Sequence, residues 1–250
     1  MKTEHVNFLH ETQNYLGFGV NTPLNNALDE QLSRKPKAFT LHTEVSCDGE
    51  TMIEATLFFK RGKGEYTDRY FFNKYDAILR FLDRPGEERK LTVQIERNRR
   101  GITFKQAFNL LQGRYVQRKV VDQNSETHDW WLHLEFKVRA VNGNPYLRYY
   151  KGRFDQEQAL AAYPIRELAT PEQKDRICRS LRRGNLQLVT FRHANGSWQS
   201  NMIYVNPEKQ LICNVGEATS ADRQRKPTVP VTQLLEFDKA DDDEISEKAP

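Results

Sequence analysis

KAFTLHTEVSCDGETMIEATLFFK, residues 37–60, is the stretch whose reading decides the fold. Phe39, Leu41, Thr43 and Val45 alternate with polar neighbours, Asp48-Gly49 offers turn chemistry, and MIEATLFFK resumes a strand-forming run. Alternation with period two around such a turn predicts an antiparallel hairpin with one face buried. Beyond the turn at Gly62 to Gly64, DRYFFNKYDAILRFL (68–82) and KLTVQIERN (90–98) extend it to a meander of four or five strands. One sheet is therefore expected between residues 39 and 98.

Helical spacing flanks this sheet. Val6, Leu9, Gln13 and Leu16 share a face before Gly17 and Gly19 break the pattern. Thr22 with Pro23 reads as a helix start, Leu24, Leu28 and Leu32 as its apolar stripe, and Pro36 as its limit. Thr103 and Gln106 form a T-x-x-Q capping box, Phe104, Ala107, Phe108 and Leu111 line one face, and Gly113 stops the helix. Asp155 caps DQEQALAAY, and Thr170-Pro171-x-Gln173 repeats the capping-box chemistry ahead of a helix ended by Gly184.

Strand periodicity returns twice more. HDWWLHLEFKVRA (128–140), Asn142-Gly143-Asn144-Pro145 and YLRYYKG read as a hairpin, whose alternation places Trp130, Leu132, Leu134 and Phe136 inside and Trp131, His133, Glu135 and Lys137 outside. LQLVTF, Asn195-Gly196, WQSNMIYV, Asn206-Pro207 and QLICNV read as a final meander. The expected class is α+β, with antiparallel meanders packed against about four short capped helices, in one composite domain or two lobes. The expected organisation is 1–100, 101–216 packed closely on it, and a mobile tail at 217–250. The order T-P-helix-strand-turn-strand occurs from Thr22 and again from Thr170, which fits either diverged copies or convergent hairpin chemistry.

Charge is distributed unevenly. The chain is +4 overall, while residues 236–250 carry seven acids against Lys239 and Lys248, a net −5, leaving residues 1–235 at +9. A basic body of this kind attracts polyanions. The opening MKTEHVNFLHETQNYLGFG is too polar for a secretory signal and no long apolar run appears after it, so cytoplasmic residence without a membrane span is expected. Cys47, Cys178 and Cys213 are odd in number and widely spaced, which suits reduced thiols.

GITFKQAFNLLQGRYVQRKVV (101–121), WLHLEFK, NGNPYLRYY, ALAAYPIREL and SLRRGNLQLVTF, preceded by LGFG, FTLHTEV and YFFNKYDAIL, span residues 15–215 in fixed order. This series resembles an uncharacterised bacterial domain carried by proteins of conjugative transposons and other mobile elements. The resemblance implies a mobile-element context and cytoplasmic residence, and transfers no activity or catalytic residue. The chain is shorter than relatives that string the domain in tandem, and Arg97, Arg99 and Arg100 stand where a Lys/Gly-rich turn is expected.

Enzymatic signatures are lacking in the sequence. Gly17-Phe18-Gly19 comes after a helix and lacks the third glycine of a nucleotide loop, so it reads as a helix stop. The six histidines show no metal-ligand spacing, no G-x-S-x-G is present, and no cofactor is implied. Basic clusters interleaved with aromatics point instead to nucleic acid, DNA or RNA, bound without strong sequence preference. The candidates are Arg97, Arg99 and Arg100; Arg114, Arg118 and Lys119; Arg148, Lys151 and Arg153 among Tyr146, Tyr149, Tyr150 and Phe154; and Arg176, Arg179 and Arg183 on the helix after Pro171. The alternative is a protein-interaction adaptor using exposed sheet edges and the tail, where Leu234, Leu235 and Phe237 would dock a partner. The helix at 104–111 yields the first test. Phe108→Ala is expected to cost about 3–5 kcal/mol in chemical denaturation if its stripe is core, and an unchanged midpoint would show the face to be misassigned.

Overall fold

Outside one strand, the backbone follows the switch from helical to period-two spacing in the computed structural model, which describes residues 3–19, 22–47, 49–95, 101–121 and 124–215. Among the described residues five α-helices and ten strands in three antiparallel sheets make an α+β protein. Contacts group the described chain into two units, residues 3–108 and 109–215.

The first unit begins with α1 (Thr3–Tyr15) and α2 (Thr22–Arg34), and continues with β1 (Ala38–Ser46), β2 (Thr51–Arg61), β3 (Tyr70–Phe81) and β4 (Glu88–Gln94) as a meander of order β1-β2-β3-β4. Thr43 pairs with Ala55 across the first hairpin and Ala55 with Ala77 across the next. Leu41, Leu57, Tyr75, Leu79 and Val93 are buried, as are Leu9, Leu16, Leu24, Leu28 and Leu32 of the helical segments, with α2 against β1 and α1 against β3. The outer face carries paired charge: Arg80 donates two bonds to Glu54 at 2.8 and 2.9 Å, and Lys90 and Thr92 both reach Asp76.

The end of α1 explains the Gly-Phe-Gly string. Phe18 N donates to Gln13 O at 2.8 Å and Gly17 N to Asn14 O at 3.0 Å, the paired bonds of a Schellman stop, with Gly17 at φ +85. Phe18 is thereby aimed into the core, its ring 5.0 Å from Phe104 and 5.2 Å from Tyr75. At the start of α3 (Phe104–Leu111) the capping box forms reciprocally: Thr103 N donates to Gln106 Oε1 at 3.1 Å, and Gln106 N to Thr103 Oγ1 at 3.3 Å.

The second unit contains β5 (Val116–Val121), β6 (Thr127–Arg139) and β7 (Pro145–Tyr150), then α4 (Gln156–Ala161), a 3-10 turn at Arg166–Ala169, and α5 (Pro171–Arg182). It ends with β8 (Gln187–Arg192), β9 (Trp198–Asn206) and β10 (Leu211–Asn214). The sheets run β5-β6-β7 and β10-β9-β8. Periodicity does not foresee β5, because Gln117, Arg118 and Lys119 occupy its centre and mask the alternation. Asp155 caps α4 through its carboxylate, accepting from Gln158 N at 2.9 Å. Thr170 departs from expectation: its backbone is extended at the start of α5, but its side chain makes no capping bond.

The hairpin reading needs a second correction. Trp131, expected outside, is 2% exposed and packs with Leu160, Ile177, Leu181, Val189 and Ile203, whereas Trp130 is only half-buried. The middle strand of this sheet is covered on both faces, by Leu132 and Leu134 on one and Trp131 and His133 on the other. Alternation of polarity cannot pick a single inner face for such a strand.

The ends of α3 and α5 share one knot. Gly113 and Gly184 both close Schellman stops, and Asn109 Nδ2 donates to Arg183 O and to Asn185 Oδ1, each at 2.8 Å. Gly184 has φ +82, and a Cβ there would lie 2.7 Å from Tyr115 O and 2.9 Å from Val116 Cγ2. Gly196 has φ +83 with nothing within 4 Å. Gly196→Ala should therefore cost only left-handed strain, about 1–2 kcal/mol, and Gly184→Ala clearly more, because backbone must also move. Urea midpoints of the two variants check this, and equal losses would show the knot to be slack.

Candidate nucleic-acid interface

Because Trp131 faces inward, Trp130 stands on the other side of β6, and the strand register gathers a group around it. Arg118 lies directly opposite on β5 and Val120 opposite His128. The His128 ring stacks on Trp130 at 5.3 Å and 7°, Tyr149 meets the indole edge-on at 6.0 Å, and the Lys151 ammonium sits 4.3 Å over the ring. Tyr149 is 44% exposed. An ammonium over an indole is attracted by the ring quadrupole. Period-two geometry brings these groups together, since 128 and 130 share a face of β6 and 149 is carried to it by β7.

The other sequence candidates separate. Lys119 is exposed, 3.8 Å from Asp129. Arg148 projects from the opposite face of the sheet, 3.9 Å from Glu135 and 3.4 Å from Glu208. Arg114 is half-buried and donates to Asn109 Oδ1 within the helix-end knot. Arg153 and Arg176 are exposed, Arg179 pairs with Asp175 one helical turn away at 3.2 Å, and Arg183 is half-buried at the end of α5. Tyr150 and Phe154 pack on the core with Trp131, while Tyr146 is 49% exposed. Arg97, Arg99, Arg100, Leu234, Leu235 and Phe237 lie outside the described residues.

Sequence reading missed a second aromatic with cations around it. Trp198, 50% exposed, faces Arg192 across the β8–β9 hairpin, and the guanidinium carbons of Arg192 and Arg166 lie 5.9 and 6.0 Å from its ring centre. The signal was present in FRHANGSW, where a turn at Asn195-Gly196 brings positions 192 and 198 together.

Among the described residues no group of His, Cys, Asp and Glu could hold a metal ion, and no helix is long and apolar enough to cross a membrane. No family model, curated protein or solved structure matches the chain.

Arg148 belongs to a polar cluster that fastens the β9–β10 turn to β5–β6–β7. Tyr115 donates to Glu208 Oε2 at 2.8 Å, and the His133 ring stacks on Tyr115 at 4.5 Å. Burial, reinforced by the Glu208 carboxylate, pushes the Tyr115 hydroxyl well above its ordinary range. Burial also lowers the His133 pKa, and this outweighs the opposing pull of Glu135, the Gly113 carbonyl and Glu208. The folded protein then binds fewer protons than the unfolded chain near the ordinary value of 6.5, so this contribution to stability is complete above that value. It is lost as pH falls through the lowered one. Urea melts from about pH 7.5 to about pH 5 should show a decline that His133→Gln makes shallower, and identical profiles would remove His133 from the account.

Proposed function

We propose that the second unit binds single-stranded nucleic acid without strong sequence preference, stacking bases on the platform of His128, Trp130 and Tyr149 while Lys151 and Arg118 meet phosphates. The observation that carries this reading is the indole of Trp130 with a lysine ammonium 4.3 Å above it and a second ring stacked at 5.3 Å. Stacking tolerates any base because every base has a π-face, and an unpaired strand exposes those faces where a duplex hides them. The residues around the platform form no base-reading motif, which agrees with weak sequence preference. The proposed context is the one implied by the resemblance of residues 15–215 to a domain of conjugative transposons and other mobile elements: a non-catalytic accessory protein of a mobile element.

A protein adaptor is the second reading, favoured by Leu188 and Leu211, 49% and 36% exposed on the edge strands of β10-β9-β8.

Fluorescence anisotropy of labelled oligonucleotides separates the two. Binding should weaken with salt, each neutralised phosphate adding about −0.7 to the log-log slope. Trp130→Ala should cost about 1–3 kcal/mol in binding, and Lys151→Gln should flatten the slope. Deleting residues 238–250 should tighten binding, because its acids compete with phosphate for basic groups. No binding at low salt would sink this reading and favour the adaptor.

A further inference from the structure

Trp198 lies away from the Trp130 platform, and sheet geometry shows why. Trp130 takes the alternation opposite to Trp131, and Trp198 the alternation opposite to Val189 and Ile203. Trp131, Val189 and Ile203 belong to one buried cluster. The half-buried indole of Trp130 and the exposed indole of Trp198 therefore lie on two different sheets, each on the face opposite to the one that joins the Trp131 cluster.

The surroundings of Trp198 are held by hydrogen bonds. His193 N donates to Ser197 O at 2.9 Å and Gly196 N to His193 O at 2.9 Å, while Asn195 Oδ1 accepts from Ser197 N and Oγ, which fixes the turn that presents the ring. Arg166 is placed by three ties between its segment and β8: Arg192 N donates to Pro164 O at 3.0 Å, Ile165 bridges Phe191, and Thr190 N donates to Glu167 Oε2 at 2.9 Å. Glu167 is the one acid beside Arg166 in the chain. Partial burial opposes its charge, yet the Thr190 backbone and hydroxyl, with a smaller contribution from the Arg166 charge, hold its carboxyl below the ordinary range, and its hydrogen bonds go to β8. Among the described residues neither Arg166 nor Arg192 forms an ion pair within 4.0 Å. An exposed indole with two guanidiniums within 6.0 Å of its ring centre suits a nucleotide, since each arginine offers a planar fork to a phosphate while the ring takes the base.

We infer that Trp198, Arg166 and Arg192 form a second site for an unpaired nucleotide, so that one chain holds two single-stranded segments at once. The inference rests on the single-strand reading of the Trp130 platform and extends it to an independent face.

The test is the binding stoichiometry of the full-length chain with an oligothymidylate of about eight nucleotides, long enough for one site and too short to wrap the unit. Wild type should bind two oligonucleotides per chain, and Trp198→Ala should weaken one of the two sites about tenfold or more and leave the other. Trp198→Phe, which keeps a stacking ring, should restore most of the loss, and Arg166→Gln with Arg192→Gln should lower the salt dependence of the same site. A change with Trp198→Ala but none with Trp130→Ala keeps this site and overturns the Trp130 platform. A single oligonucleotide per chain that is indifferent to Trp198→Ala overturns the second site and leaves the first, and no binding by wild type overturns both.

Discussion

The burial of Trp131 is the constraint on which the second unit turns. Its indole is 2% exposed among Leu160, Ile177, Leu181, Val189 and Ile203, residues drawn from two helices and the neighbouring sheet. A tryptophan so placed removes a large apolar area from water, and moving it outside would forfeit several kcal/mol. Successive residues of a strand point to opposite faces, so the same burial leaves Trp130 on the far side of β6. The proposed stacking platform depends on that forced placement: His128 and Tyr149 are carried beside Trp130 by the register, and Lys151 closes over it.

Helix ends supply the second rigid element. Three helices stop on the same glycine geometry, with Gly17, Gly113 and Gly184 at φ +85, +81 and +82. Each stop also aims the residue after it. Phe18 enters the first core after Gly17, Arg114 turns back onto Asn109 after Gly113, and Asn185 meets Asn109 after Gly184. A buried asparagine that satisfies two helix termini together is costly to replace, because its partners would be left unpaired. Arg114, which lies in a basic cluster of the sequence, is recruited to this knot.

Net charge is a poor guide to where such a protein binds. The first 235 residues are +9, yet Arg80, Arg148, Arg179 and Lys119 stand against carboxylates and contribute little attraction beyond their partners. In the proposed reading the binding falls to cations set against rings. Lys151 at Trp130, and Arg166 and Arg192 at Trp198, combine positive charge with an aromatic surface. The His133–Tyr115–Glu208 cluster is polar as well, but it works inward, fastening the β9–β10 turn to the adjacent sheet.

The sequence by itself determined the local structure. Period-two runs from Phe39 to Val93, the capping box at Thr103 and Gln106, the Asp155 cap and the glycine stops act between residues close in the chain, so their chemistry is legible without a fold. It was ambiguous where a strand is covered on both faces, as at Trp130 and Trp131, and where polar residues fill a strand, as in β5. Only the tertiary structure decided which arginines are bound to carboxylates or carbonyls and which indoles remain exposed, because those outcomes depend on strand register and on partners such as Asn109 and Arg183, 74 residues apart. Pairing across such distances is set by the packing of whole sheets, and no local pattern encodes it.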